Sequence, residues 1–428
     1  MRDLPTTSTT ASHADGPAPG GGPPPGDDPP PGGGPSPGND DVATFERVDW
    51  EALAGDRRPW SPERIVLLVG LVALATIFVS HARTGGAFLV LRWNVGWEDW
   101  LVMVALVVIV AYGVTPAIRA SGTVRRTLRN LRGRWGTILS IVVFTGVLLV
   151  GIWALLTGFR ALIPWEVSID PLQPPVGATA PVLRPVDCVG TASADATATL
   201  CHGTWRYPLG TDTSGYVLTE LLVMGSRPVV YATFVTLGLV VPLATIVGVV
   251  AGYYGGLIDD LLMAYVDIQL SLPALLVYLV VYMFVLNSMF VFLVAFGLLS
   301  WGGIARIVRS ETLQRREDGY VVSARAVGAP RSYIIRRHVI PNVSNSVLPA
   351  AFHLIAIIVI TEAGLSFLGF NPIDQSWGHT IARGFTRASP ITHWWIAAFP
   401  ALALAVTVVS CKLIGDGLRD VLDPRGDG

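Results

Sequence analysis

Long apolar blocks separated by short polar breaks dominate the pattern of this chain. Crossing ~30 Å of hydrocarbon takes about 20 helical residues. Eight blocks reach or approach that length: Pro62 to His81, Glu98 to Ile118, Trp135 to Leu156, Val229 to Tyr253, Ile268 to Leu286, Met289 to Ile304, Val347 to Glu362 and Trp394 to Leu413. Ser61 is placed to cap the first, with Pro62 at its first helical position. Trp97, Trp100, Trp135, Trp394 and Trp395 fall at block ends, where interfacial aromatics belong. The pattern predicts an all-α polytopic membrane protein with about eight transmembrane helices.

Composition agrees. Of the 428 residues 51% are hydrophobic and 14% charged, with a mean hydropathy of +0.54, whereas a soluble domain carries roughly a quarter charged residues. A net charge of -1 excludes the basic excess of a nucleic-acid binder. Lys412 is the one lysine, and it sits between Cys411 and Leu413. A phosphate-binding loop needs Gly-Lys-Ser/Thr, so any ATP that drives this protein is hydrolysed by another chain, and no cofactor is expected here. Most Arg residues fall on one side of the spans, led by Arg119, Arg125, Arg126, Arg129, Arg132 and Arg134, which predicts both termini inside. Residues 1–45 are Gly- and Pro-rich and are expected to form a disordered tail.

Two connections carry the candidate chemistry. The outer one, 157–228, holds Cys188 and Cys201. An oxidising outer face points to a disulfide. His202 beside Cys201 would offer a third metal ligand, with no fourth. The connection ends in Tyr207-Pro208-Leu209-Gly210-Thr211-Asp212-Thr213-Ser214-Gly215, where Thr211, Asp212 or Thr213 could cap a short surface helix over 214–225. Three acids, Glu220, Asp267 and Glu362, lie near span ends, where solvated or capping roles are commoner than substrate contact.

The inner connection, 306–346, is forty residues of helix formers with breaks. Gly328 can end a first helix (319–327) in the left-handed conformation. Pro330 suits the start of a second, which Pro341 is expected to stop. Two short helices at an angle, with small and apolar residues between arginines, make a docking knob.

The run Ser323-Ala324-Arg325-Ala326-Val327-Gly328, followed by His338-Val339-Ile340-Pro341, resembles the EAA loop of ABC importer permeases. More narrowly it resembles the C-type permease subunit of the dipeptide/oligopeptide/nickel importers. Pro208-Leu209-Gly210-Thr211-Asp212 is similar to that family's outer-loop motif, Leu365-Ser366-Phe367-Leu368-Gly369 with Ser376-Trp377-Gly378 to its penultimate segment, and Gly415-Asp416-Gly417-Leu418-Arg419-Asp420 with Leu422-Asp423-Pro424-Arg425 to its ending. The likeness covers 136–428. Val322 and Ser323 stand where the family has Glu and Ala, and Gly215 is followed by Tyr216-Val217 rather than Arg-Asp.

The resemblance implies a six-helix permease core (136–428) preceded by a two-helix extension (46–135), in the plasma membrane of a prokaryote. It implies no enzymatic activity in this chain. Its partners would be a homologous second permease, two cytoplasmic ATPases, an external substrate-binding protein and the lipid bilayer, with peptides as the usual cargo. Ser323, Ala324, Arg325, Gly328, Arg331, Ile340 and Pro341 would contact an ATPase, and Gly210, Thr211 and Asp212 would belong to the outer loop. A secondary transporter or channel is the alternative class. The scarcity of charges within the spans and the large inner knob argue against it, and no His-Glu-x-x-His supports an intramembrane enzyme.

Overall fold

A computed structural model describes residues 61–83, 89–90, 93–119, 133–159, 170–182, 187–194, 199–285, 288–370 and 375–422, with a few single positions between them. The expected tail, Arg125, Arg126, Arg132 and the final Asp423-Pro424-Arg425 lie outside the described residues. Among the described residues, seven helices are long and apolar enough to span a membrane, and a bent pair makes an eighth candidate. In chain order they are α1 (Pro62–Arg83), α2 (Trp97–Arg119), α3 (Trp135–Leu156), α4 (Leu218–Tyr254), the bent pair α5 (Gly256–Ser271) and α6 (Ala274–Val285), α7 (Met289–Arg315), α9 (Arg331–Phe367) and α11 (Trp395–Leu422). Two shorter helices, α8 (Gly319–Ala326) and α10 (Trp377–Thr386), lie beside α9 in sequence.

Helices α3, α4, α7, α9 and α11 build the core. One close crossing within it joins α4 to α7. A Cβ on Gly248 would lie 2.5 Å from the Ala305 carbonyl, and one on Gly252 2.7 Å from that of Arg309. Gly248-Val-Val-Ala-Gly252 is thus a small-xxx-small face that lets two backbones meet, the usual device where lipid removes the hydrophobic drive between helices. At the far side, Gly415 and Gly417 of α11 approach Pro349 of α9 and Thr137 of α3.

The first two helices differ in attachment. No residue of α1 is buried; it packs on α2, with Phe78 edge-on to Trp100 at 5.1 Å and Glu63 paired to Arg119 at 2.8 Å. α2 reaches the core itself. Asp99 is buried and accepts a hydrogen bond from the Tyr231 hydroxyl at 2.8 Å, and Ala105 lies against Gly238 of α4.

Three expected boundaries are corrected. Pro341 does not stop a helix: α9 runs through it. Residues Ile335–Val339 form a π-helical turn in which the Ile340 N–H bonds to the Ile335 carbonyl. The wider turn sits directly before the proline, whose ring would otherwise strike the carbonyl four residues back. The same turn precedes Pro116 (Val110–Val114) and Pro242 (Thr236–Val240). The block expected from Ile268 to Leu286 is not one helix. Leu272, ahead of Pro273, is extended at φ -89°, ψ 116°, and the axes of α5 and α6 differ by 67°. Residues 254–267, between two of the expected spans, are largely α5, held on α7 by the Asp259–Arg309 and Asp267–Arg306 ion pairs. The third correction is to helix 214–225. It begins at Leu218 with Val217 at its cap and no side-chain cap bond, because the Asp212 carboxylate is used elsewhere.

Substituting Gly248→Val tests the α4–α7 crossing. The added side chain overlaps backbone rather than a movable tip, so a loss of about 1–3 kcal/mol is expected, read as a lower melting temperature of the purified protein. Gly303→Ala on α7, where a Cβ meets nothing within 4 Å, should leave that temperature unchanged.

Candidate functional site

The knob is α8 and the start of α9, joined through Val327–Pro330. The chain turns there by hydrogen bonding alone. The Ala329 N–H reaches the Ala324 carbonyl and the Gly328 N–H that of Arg325, both at 3.0 Å, and Gly328 has φ +80°. This is a Schellman ending, and its left-handed residue is costly for anything but glycine. The expected role of Gly328 as the corner of the knob matches this geometry. Pro330 follows with β-region backbone as the N-cap of α9.

Val321, Ile334 and Val339 are fully buried and fasten the knob to the bundle. Its opposite face shows Tyr320, Val322, Val327, Tyr333 and Ile340, each 39 to 52% exposed. Ser323, Arg325, Gly328, Arg331 and Pro341 are also exposed, and Ala324 is half-buried. The Ser323 hydroxyl donates to the Gly319 carbonyl at 2.7 Å. Val322 gives an apolar group to the surface. Burial first, and then the Asp318 carboxylate, raise the Tyr320 phenol above its ordinary value, so it stays a neutral hydroxyl near pH 7; it accepts from Asn342 at 3.3 Å.

The predicted knob residues are not one cluster. Arg325 and Arg331 share a cleft of about 540 Å³ with Tyr253, Tyr254, Arg316, Glu317, Ala329 and Ile334. Ser323, Ile340 and Pro341 do not line it. Reasoning from sequence missed the cleft because its wall comes from the ends of α4 and α7, far away along the chain.

Gly210, Thr211 and Asp212 lie toward the other end of α4, whose residues 227–254 alone rise about 40 Å. They are buried, not surface residues. Asp212 is 0% exposed and pairs with Arg383 of α10 at 2.8 Å, while its other oxygen accepts from the Ser214 and Tyr216 N–H groups. Thr211 donates its hydroxyl to the Asp170 carbonyl at 2.6 Å and accepts the Trp395 indole N–H on its own carbonyl at 3.1 Å. Gly210 sits at φ +84°, where a Cβ would fall 2.6 Å from the Gln173 carbonyl. The motif ties the long connection to α10 and α11. Arg383 is the functional partner the sequence did not reveal, 171 residues from Asp212.

That connection carries a three-stranded antiparallel sheet in the order β1-β3-β2, from β1 (Thr179–Val182), β2 (Ala192–Ala194) and β3 (Thr199–His202). Cys188 and Cys201 are disulfide-bonded. His202 instead meets the Ser193 hydroxyl at 3.0 Å. Buried Gln173 binds the backbone on both sides of Cys188, at Asp187 and Val189.

The other family-like motifs also pack helices. Ser376 caps α10 through the His379 N–H. The Trp377 indole donates to the Leu222 carbonyl at 3.0 Å, and Gly378 lies against the Ala363 carbonyl. Glu362, expected near a solvated span end, is 3% exposed and accepts from Ser366 at 2.8 Å. Asp267 is paired with Arg306, which leaves it a structural role.

Removing one partner of the Asp212–Arg383 pair strands a buried charge, which typically costs about 3–5 kcal/mol. Arg383→Met should therefore open the 170–217 connection to proteolysis, and adding Asp212→Asn should recover much of the loss. At the same end, Tyr207 donates to Asp170 at 2.7 Å. Burial, then that carboxylate, raise its pKa above the ordinary 10.0. The stabilisation is complete below the unfolded value and disappears as pH climbs through the raised one. Protection of this connection from proteases should fall in strong alkali, and in Tyr207→Phe that alkaline step should be smaller.

The inner membrane components of binding-protein-dependent transport systems match residues 244–427. The oligopeptide transport system permease protein OppC of Haemophilus influenzae is 34% identical over 220 residues, 50% of this chain and 70% of that protein. The probable D,D-dipeptide transport system permease protein DdpC of Escherichia coli is 30% identical over 55% of this chain and 78% of its own. For the glutathione transport system permease protein GsiD of Pectobacterium atrosepticum the figures are 33%, 51% and 72%. With its apolar helical bundle and exposed knob, the chain belongs to this family: it is a multi-pass membrane permease subunit of an ABC importer.

Proposed function

We propose that the chain forms half of the translocation pathway of an ATP-driven peptide importer. The relatives named for oligopeptide, D,D-dipeptide and glutathione transport support a peptide cargo. The other half is a homologous permease, and an external binding protein delivers the cargo. Two ATPases on the cytoplasmic face bind and hydrolyse the ATP, so this chain performs no catalysis. Both termini and the knob lie on the cytoplasmic side.

The observation that carries this reading is the knob itself. A rigid corner at Gly328 presents Arg325, Arg331 and an apolar face, and its buried side is fastened by Val321, Ile334 and Val339. Closure of the ATPases on ATP pushes such a corner as a rigid body. Because Ile334 and Val339 belong to α9, the push is delivered straight into a helix that crosses the core. Alternating access follows from the different affinities of the ATPases for the two positions. The departure at Val322 replaces one charged contact with an apolar one.

Gly328→Val tests it. Forcing a β-branched residue into the left-handed region costs at least ~1 kcal/mol and changes the angle of the corner without touching a span. Membrane insertion should be normal, ATPase co-purification reduced and peptide uptake lost. Full ATPase retention with normal uptake would remove the knob from the coupling role.

A further inference from the structure

The break between α5 and α6 falls beside an uncharged stretch of α7. Before the break Leu270 packs on Gly302, where an added Cβ would stand 3.2 Å from its side chain. After it the Tyr278 ring stands 5.6 Å from that of Phe292 and 6.2 Å from that of Phe296. Leu272 and Pro273 therefore lie alongside Met289–Ile304, a run without charge. The Leu272 N–H turns back to the Gln269 carbonyl, and the Leu276 and Val277 N–H groups to that of Pro273. Among the described residues, the carbonyls of Leu270, Ser271 and Leu272 and the N–H groups of Ala274 and Leu275 have no partner. Leu270, Ser271, Leu272, Pro273 and Leu275 are exposed. Hydrocarbon does not accept irregular backbone with free polar groups; within a span such backbone is covered by protein or lines water. Side chains around the break repeat the pattern. Gln269 is 3% exposed and neither atom of its amide has a hydrogen-bond partner among the described residues. The fully buried Tyr278 hydroxyl and the Trp301 indole N–H, beside Gly302 on α7, have none either.

We infer that the α5–α6 break lines the translocation pathway and holds the main chain of the cargo peptide. The groups gathered there are neutral donors and acceptors, which is the chemistry of an amide backbone. The three carbonyls accept from cargo N–H groups, the Ala274 and Leu275 N–H groups donate to cargo carbonyls, and the Gln269 amide does both. Leu272, Leu275 and Leu276 supply the apolar lining that surrounds a few polar groups in a binding site. Contacts to main chain alone ignore the cargo's side chains, which suits peptides of mixed sequence. The inference rests on the peptide-importer reading and adds to it the place where the cargo is held.

The test uses the full chain in its complete complex, reconstituted in vesicles with the external binding protein and ATP. Ser271→Cys is treated with a water-soluble maleimide on both sides of the membrane, with and without a pool of mixed tetrapeptides. Wild type, in which Cys411 is free but buried, sets the background. Ser271→Cys should be labelled, and the peptides should slow its labelling. Leu149→Cys, 62% exposed on the unbroken α3, should stay unlabelled. Gln269→Leu removes both amide groups at similar volume. If Gln269 served packing alone, that change would leave uptake intact and the melting temperature equal or higher, since it removes a buried polar group without partners. The expected result is uptake of dilute tetrapeptides reduced about fivefold at an undiminished melting temperature. Should the variant melt lower, the labelling of Ser271→Cys decides alone. No labelling there means that lipid or the second permease covers the break, and overturns the inference. Labelling that peptides do not slow means a watery surface without cargo, and overturns it as well. Both results leave the importer reading standing while wild type takes up the tetrapeptides. A wild-type complex that takes up none of them overturns the reading and the inference together.

Discussion

The backbone contact of α4 with α7 at Gly248 and Gly252 is the constraint on which the other features depend. In water two apolar helices associate because they leave water, but in lipid their outer surfaces are already solvated by hydrocarbon. What remains is close packing, and that is gained only where side chains are absent from the crossing. Once α4 and α7 meet, their ends near Tyr254 and Arg315 are held together. From that platform α5 and the knob depart. The Asp259–Arg309 pair, bidentate at 2.5 Å, fastens α5 with charge to the same residue of α7 that Gly252 meets.

Prolines would be expected to interrupt such a bundle. Three of them instead follow a π-helical turn, and the helices continue. In each, the first carbonyl of the widened turn accepts from the N–H five residues on. Pro273 behaves differently because Leu272 before it is extended, and the chain breaks there by 67°. One residue type thus produces a long knob-to-core helix in α9 and a hinge between α5 and α6. The first is one continuous helix from the knob into the core. The second turns α6 so that its one fully buried residue, Tyr278, packs edge-on against Phe292 of α7 at 5.6 Å.

The two ends of the bundle are secured by different chemistry. At the loop end a disulfide, a small sheet and the Asp212–Arg383 pair hold a connection that has little apolar core of its own, chiefly Ala180, Leu218, Trp395 and Ile396. At the knob end there is no covalent tie. The knob stands on the fully buried Val321, Ile334 and Val339 and one left-handed glycine.

The hydropathy pattern by itself determined the class, the number of candidate spans to within the bent pair, and the knob as an inserted element, because spacing of apolar residues over about 20 positions is a local property. The Gly328 corner was legible for the same reason: a Schellman ending is set within six residues. So was the pairing of Cys188 with Cys201, the two cysteines of one connection. The passage of α9 through Pro341 was not legible. A proline in a helical run breaks it or rides on a π turn according to whether the flanking helix is fixed by neighbours, and Val339 and Val343 are both buried in the core. Nor could the sequence join Asp212 to Arg383, Asp99 to Tyr231, or the three arginines of the cleft, since each meeting depends on which helices lie side by side. That was decided by tertiary structure, through the few glycine crossings that let particular backbones approach.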